Sequence, residues 1–97
     1  MNTSNVAIGQ RLIEVREARG LQQAAMARML NLSAQRYGGY ERGRTIPSPD
    51  VLLKIWQMTG GTSDFVLFGR MDGMAHELVS LILARRERGQ SDAEKSA

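Results

Sequence analysis

The apolar residues at the start of the chain recur at the spacing of a helix face and do not alternate as in a strand. The positions concerned are Val6, Ile8, Leu12, Ile13 and Val15. Thr3, Ser4 or Asn5 can cap this helix, because their side-chain oxygens accept a free backbone N–H. Gly20 suits the left-handed turn that often follows a helix. The pattern therefore predicts a first helix that ends at Gly20.

Two short helices separated by a tight turn are predicted next. Residues 23–30 are alanine-rich, and Met26 and Leu30 lie four apart on one face. The segment 31–33, Asn-Leu-Ser, is typical of a turn, because Asn tolerates a positive φ and Ser33 can cap the helix that follows. That third helix spans about residues 34–42 and stops at Gly43.

The second half of the chain predicts a capped fourth helix and a short fifth one. Ser48, Pro49 and Asp50 supply a cap, a proline at the first helical position and an acid in the first turn. The stripe expected to be buried on this fourth helix consists of Val51, Leu52, Ile55 and Trp56, and the helix ends at Gly60 and Gly61. Thr62 or Ser63 caps the fifth helix, which Gly69 closes.

A sixth helix is expected over about Met74 to Arg88, followed by a polar segment, residues 89–97, that is expected to be disordered. The chain shows no strand pattern and no internal repeat. The sequence therefore predicts an all-α fold, with a domain over residues 1–69, a C-terminal helix over residues 70–88 and a disordered tail.

Composition removes several classes of function. The chain has 97 residues, which suits one small domain, and it contains no cysteine and one histidine. Thiolate sites are therefore excluded, and His76 alone cannot form a metal site or a catalytic triad. We expect no enzyme activity, no cofactor, no membrane span and no signal peptide, and hence a cytoplasmic protein.

The excess of positive charge, +3 overall, is carried by residues 1–69, which hold eight basic and five acidic residues. Within residues 28–44, four arginines accompany a single acid, Glu41. The arginines are Arg28, Arg36, Arg42 and Arg44. Such a cluster suits a polyanion such as DNA, and it is equally typical of a solvated surface.

The two short helices and their three-residue turn form a helix-turn-helix pattern. Ala27 is small where the helices meet, and Leu32 fills the turn. From Ile8 to Gly69 the sequence resembles the Cro and phage-repressor helix-turn-helix family, also called the xenobiotic-response-element family. The matching segments are IGQRLIEVREARGL, QQAAMA, NLS, YERGRTIPSPDVLLKI and SDFVLFG. The resemblance implies a five-helix repressor-like DNA-binding domain, to which this chain adds a C-terminal helix.

The resemblance also implies roles for single residues, since the family places its third helix in the DNA major groove. The base-reading residues would be Ala34, Gln35 and Arg36, and the phosphate-binding residues would be Gln23, Ser33, Tyr37, Gly43 and Arg44. Gln23 can instead cap its own helix, Gln35 can be plain surface, and Arg36 can hold a base or a phosphate. Tyr37, Tyr40, Trp56, Phe65 and Phe68 are expected in the core, with the Tyr37 hydroxyl still able to reach a phosphate.

Arg16 and Glu41 match an ion pair of the family that joins the first helix to the third, and we interpret this pair as structural. Two features depart from the family pattern. Asn31 stands where the turn usually has glycine, and Gly38 and Gly39 lie inside the recognition helix. Each of these glycines costs roughly 1 kcal/mol relative to alanine in a helix. Neither supplies a side chain for reading bases.

These observations predict a sequence-specific DNA-binding regulator, a repressor that binds a near-palindromic operator as a homodimer. The expected dimer surface is a stripe on the sixth helix formed by Met74, Leu78, Leu81 and Ile82. The same stripe can instead fold back on its own domain. Two other functions stay open: an antitoxin of a toxin–antitoxin operon, with a protein partner on the C-terminal helix, and a protein-interaction module with a degenerate helix-turn-helix.

Overall fold

The structure is a computed structural model that describes the backbone of residues 2–96 and the side chains of residues 2–90. Within these ranges the chain forms six helices and no strand, so the predicted all-α fold is confirmed. The helices are α1 (Asn5–Ala18), α2 (Gln23–Met29), α3 (Ala34–Glu41), α4 (Pro49–Thr59), α5 (Ser63–Phe68) and α6 (His76–Ser96). None of the described helices combines the length and apolar character needed to cross a bilayer.

Hydroxyl side chains begin four of these helices, because each accepts a backbone N–H that has no partner within the helix. The capping residues are Ser4, Ser33, Ser48 and Thr62, at the starts of α1, α3, α4 and α5. Gly60 and Gly69 end α4 and α5 in the left-handed conformation. The local signals in the sequence thus predict the boundaries of the first five helices to within one or two residues.

Helix α1 lies at the centre of the molecule and packs against α3, α5 and α6. Its buried face is formed by Ile8, Leu12 and Val15. Gly9 lies where α1 crosses the end of α3: a Cβ at this position would press against the Glu41 carbonyl oxygen and lie 2.6 Å from that of Tyr40. The close approach of the two helices therefore requires glycine.

Arg11, also on α1, is buried and has a structural role. Its Nε donates to the carbonyl of Val66 at 2.9 Å, and its Nη2 donates to the carbonyls of Leu67 at 2.9 Å and Asn2 at 2.8 Å. The bonds to Val66 and Leu67 satisfy carbonyls at the end of α5 that lack helical partners. Burial lowers the pKa of Arg11, with the charge of Arg86 as a smaller cause in the same direction.

Two of the aromatic residues predicted in the core are not there. Trp56 is 53% exposed and Phe68 is 42% exposed, whereas Phe65 is fully buried as expected. The buried row of α4 is Val51, Ile55 and Thr59, spaced by four residues. Trp56 lies one position around the helix from this row, so no neighbouring helix covers it.

The predicted dimer stripe of α6 is mostly buried within its own chain. Leu78 and Ile82 are at most 1% exposed, because α6 folds back on α1, and Met74, just before α6, is 8% exposed. Only Leu81, 40% exposed, stays at the surface. The assignment of the three buried residues to a dimer surface is therefore wrong in this fold, since the apolar face is already covered.

Ion pairs fasten α6 to the α1 region. Arg19 Nη1 lies 2.6 Å from Glu77 Oε1, and Arg86 Nη2 donates to Glu14 Oε1 at 2.8 Å. The helix continues to Ser96, past the end expected near residue 88, and this segment contains no proline to stop it. The predicted disorder of residues 89–97 stays a prediction, and Ala97 lies outside the described residues.

Candidate nucleic-acid interface

The turn between α2 and α3 has the geometry that the sequence predicts. Asn31 adopts a positive φ of 57°. The N–H of Leu32 donates to the carbonyl of Ala27 at 2.9 Å, and Ser33 Oγ accepts the N–H of Arg36 at 3.1 Å. Ala27 is 2% exposed. The turn therefore holds α3 at a fixed angle to α2.

Helix α3 has one buried and one exposed side. Tyr37, Tyr40 and Glu41 are buried, whereas the three predicted base-reading residues, Ala34, Gln35 and Arg36, are exposed in its first turn. Arg36 is not fully extended, because its Nε donates to the hydroxyl of Tyr40 at 3.1 Å. Its other guanidinium donors remain available, since the group carries five N–H bonds.

The predicted contact between α1 and α3 is present as a forked ion pair. Arg16 Nε lies 2.7 Å from Glu41 Oε2, and Arg16 Nη2 donates to Oε1 at 3.2 Å. A third donor, Nη1, bonds the carbonyl of Leu21 at 2.9 Å. The hydrogen bond to Glu41 raises the pKa of Arg16. The pair thus joins α1, the start of α2 and the end of α3.

Gln23 is exposed at the start of α2, but its side chain is engaged. Its Nε2 donates to Glu41 Oε1 at 2.9 Å. Because no side chain caps α2, the interpretation of Gln23 as a cap of its own helix is wrong. The amide has a second N–H, which remains free to meet a ligand.

Two of the predicted phosphate contacts are wrong. The Tyr37 hydroxyl is fully buried and finds no hydrogen-bond partner among the described residues, so a phosphate cannot reach it. Burial raises the pKa of Tyr37, and the neighbouring Glu41 raises it further.

The second predicted phosphate contact that is wrong is the backbone around Gly43. Its N–H donates to the carbonyl of Tyr40 at 3.2 Å, and the N–H of Arg44 donates to the carbonyl of Gly39 at 2.9 Å. Both donors are used to end α3, as in a Schellman-type C-cap.

Ser33 and Arg44 retain groups that can meet a phosphate. Ser33 is exposed, and its Oγ uses a lone pair in capping, so its hydroxyl proton stays free. Arg44 is exposed and has no carboxylate within salt-bridge distance among the described side chains. Its side chain, and not its backbone, is therefore the candidate for a phosphate contact.

The exposed charge on the motif has one sign. Four arginines, which we call the arginine surface, are exposed and have no carboxylate partner within the described residues: Arg28, Arg36, Arg42 and Arg44. The one acid between Glu17 and Asp50 is Glu41, which is 6% exposed and paired with Arg16. The other ion pairs involve arginines outside this surface. The motif therefore presents uncompensated positive charge to a ligand.

Arg42 belongs to the basic cluster of residues 28–44, and the sequence pattern assigns it no role of its own. It lies seven residues after Gln35, and hence on the same side of α3. Its guanidinium lies over Gly38, since a Cβ at Gly38 would be 2.8 Å from Nη1. The signal in the sequence for this contact is the spacing of four residues between Gly38 and Arg42, which places the arginine side chain over the glycine.

A second surface feature lies away from the motif. An apolar groove of about 610 Å³ runs between α4 and α5, and its lining includes no residue of α2 or α3. Leu53, Trp56 and Leu67 are among its apolar lining residues, and Asp64 is its one charged lining residue. Leu53 and Trp56 are both about half exposed, at 52% and 53%.

Comparison with known proteins supports the same motif. A sequence model of the helix-turn-helix family matches residues 12–65. A curated relative, the SPbeta prophage-derived uncharacterized HTH-type transcriptional regulator YonR of Bacillus subtilis (strain 168), is 38% identical over 61 residues. The match covers 63% of this chain and 56% of the relative, so the chain spans a little over half of that protein's length. No solved structure matches.

Proposed function

Because this chain belongs to the helix-turn-helix family, we propose that it is a transcriptional regulator that binds double-stranded DNA. The observation that carries the proposal is the arginine surface: exposed, unpaired positive charge on the motif, with the one acid of that region buried. Phosphates attract such a surface, and counterion release makes the attraction favourable. Helix α3 then lies in the major groove.

Base reading falls to the first turn of α3. Gln35 can donate to and accept from adenine in a bidentate pair, and Arg36 can donate to guanine. Ala34 can contact the methyl group of a thymine. All three are exposed, which supports this assignment. Because Gly38 and Gly39 follow, few side chains stand between this turn and the end of the helix.

Phosphate contacts come from Gln23, Ser33 and Arg44. Glu41 holds the Gln23 amide by one N–H, which leaves the other N–H to donate to a phosphate oxygen. The ion pair with Arg16 fixes Glu41 in turn. Gln23 is therefore oriented before DNA arrives, which reduces the entropy that binding costs.

We propose repression by occlusion, with the protein acting as a homodimer. One recognition helix with about three reading side chains buries too little surface for tight specific binding. A two-fold dimer places two such helices about 34 Å apart on a near-palindromic operator.

The groove between α4 and α5 is the surface we propose for the second copy. It replaces the α6 stripe, most of which is buried in the chain itself. Its wall carries one charge, so two identical copies meet there with little repulsion. Trp56 is a residue type enriched in interfaces, and it stands half exposed at the groove. Since no residue of α2 or α3 lines the groove, a partner there leaves the arginine surface free.

Selection of bound sequences from a random DNA duplex library tests the function. We expect enrichment of a near-palindromic sequence with two half-sites one helical turn apart. A protein that enriches no sequence at low salt is not a sequence-specific regulator, and an interaction module with a degenerate motif then explains the chain better.

A further inference from the structure

Arg42 does not extend from the end of α3 but lies back along the helix. A Cβ built at Gly38 would be 2.8 Å from Arg42 Nη1 and 3.3 Å from Nη2. Helical side chains lean toward the N-terminus, and a residue four positions earlier lies directly beneath them. The guanidinium thus occupies the space that any other residue at position 38 would fill with its own side chain.

The guanidinium lies on the side of the recognition helix that carries the exposed residues Gln35 and Arg42, and the two glycines between them are themselves buried. Gln35, Gly38, Gly39 and Arg42 are spaced by three, four and seven residues, which places them on one side of α3. A Cβ at Gly39 would meet nothing within 4 Å beyond the backbone of its own helix. The middle of this face therefore has no side chain of its own, and the guanidinium of Arg42 lies at its edge.

The Arg42 side chain is exposed and free to bind a ligand. No carboxylate among the described side chains lies within salt-bridge distance of it. Arg36 differs, because its Nε already donates to the Tyr40 hydroxyl. A planar guanidinium with parallel N–H donors matches the O6 and N7 acceptors of guanine in the major groove.

We propose that Arg42 is a base-reading residue, which donates from above Gly38 to a guanine neighbouring the base that Gln35 contacts. The proposal rests on the proposed function, since it requires α3 in the major groove. The glycine at position 38 has a specific purpose in this arrangement. It removes the Cβ that would push the guanidinium outward, so one arginine from the end of the helix supplies base contacts that the two glycines cannot make.

The test measures binding of single variants to the selected operator and to operators with each base pair replaced in turn. Arg42→Ala is expected to abolish the preference for one G·C pair, a discrimination of roughly 10- to 100-fold for a bidentate contact. Gly38→Ala is expected to abolish the preference at the same pair, because its Cβ displaces the flexible end of Arg42 without disturbing the fold. Gly39→Ala is the matched control and is expected to keep that preference, whatever its overall affinity.

The double variant Gly38→Ala/Arg42→Ala shows whether the glycine acts through the arginine. Its relative affinities for the operator variants should equal those of Arg42→Ala alone, since the guanidinium on which the glycine acts is absent from both proteins. Thermal unfolding of each variant verifies that all four remain folded.

Two results overturn the proposal while leaving the proposed function intact. One is that Arg42→Ala weakens all operator variants by the same factor, as a phosphate contact would. The other is that Gly38→Ala retains the wild-type preference at every base pair. A wild-type protein that selects no DNA sequence at all overturns the proposed function first, and this inference with it.

Discussion

The side-chain amide of Gln23 donates a hydrogen bond of 2.9 Å to Oε1 of Glu41. This bond joins the first residue of α2 to the last residue of α3. The same carboxylate is held by Arg16 from α1. A residue that we assign to a DNA phosphate is thus positioned by the ion pair that fixes the recognition helix.

Glu41→Gln is expected to lower the free energy of unfolding by roughly 3 kcal/mol, because it leaves the mostly buried Arg16 without its counter-charge. The change is measured by urea unfolding. Glu77→Gln is the matched control, since it breaks a pair with Arg19 in which the glutamate is 69% exposed. That loss should stay below about 1 kcal/mol. Equal losses in the two variants would contradict the structural role of the Arg16–Glu41 pair.

Alanine at two helical glycines should change stability in opposite directions. Gly39→Ala should raise the free energy of unfolding by up to about 1 kcal/mol, because the methyl group meets open space and alanine favours the helix. Gly9→Ala should lower it, because the methyl group collides with the carbonyls of Tyr40 and Glu41. Thermal unfolding measures both. A stabilised Gly9→Ala protein would show that α1 and α3 do not cross as closely as described.

Tyr37→Phe should change the free energy of unfolding by less than about 1 kcal/mol at neutral pH, because the deleted hydroxyl has no partner. The substitution should change the free energy of unfolding mainly at alkaline pH. Burial raises the pKa of Tyr37 in the folded protein, so the unfolded chain releases this proton first, near its ordinary value of about 10. The contribution of the raised Tyr37 pKa to the free energy of unfolding is therefore fully present below about pH 10, and it is lost as the pH rises further.

Urea unfolding between neutral and alkaline pH compares the variant with the wild type. The stability of Tyr37→Phe should fall less steeply above about pH 10. Tyr40→Phe, which removes a hydroxyl bonded to Arg36 Nε at 3.1 Å, is the control. A variant that loses several kcal/mol at neutral pH would mean that the Tyr37 hydroxyl is hydrogen-bonded after all.

DNA affinity should fall with salt, and the slope should report the arginine surface. Arg44→Ala should weaken binding to all sequences alike and reduce the slope of log K against log salt by about 1. Arg85→Ala removes an exposed arginine of α6, outside that surface, and should leave the slope unchanged.

Gln35→Ala should cost roughly 1–3 kcal/mol of binding free energy at one base pair only. Identical behaviour of Gln35→Ala and Arg44→Ala across operator variants would mean that the reading face is misassigned.

Trp56→Glu should give a folded monomer with much weaker operator binding, because a buried charge at the groove opposes association. Sedimentation at micromolar concentration measures the oligomeric state. Leu83→Glu is the control on α6, where the leucine is 46% exposed. If Leu83→Glu is monomeric and Trp56→Glu is dimeric, the second copy binds the surface of α6 and not the groove.

The sequence by itself determined the first five helices and their ends. Ser4, Ser33, Ser48 and Thr62 cap helices where the pattern predicts starts, and Asn31 takes the positive φ expected in the turn. These signals are readable because each acts over three or four residues of chain. The resemblance to a known family also predicts the contact between Arg16 and Glu41.

The tertiary structure alone decided which predicted residues remain free to act. Ile55 is buried and Trp56 is exposed, although both belong to one apolar stripe, because only one row of α4 is covered. The Tyr37 hydroxyl is unavailable to DNA because it is buried. The Gly43 N–H is unavailable because it donates to the carbonyl of Tyr40 at the end of α3. Burial of the α6 stripe is favourable whether it packs on its own domain or on a second copy. Local pattern cannot distinguish these two outcomes, because burial depends on which distant segment arrives to cover a surface.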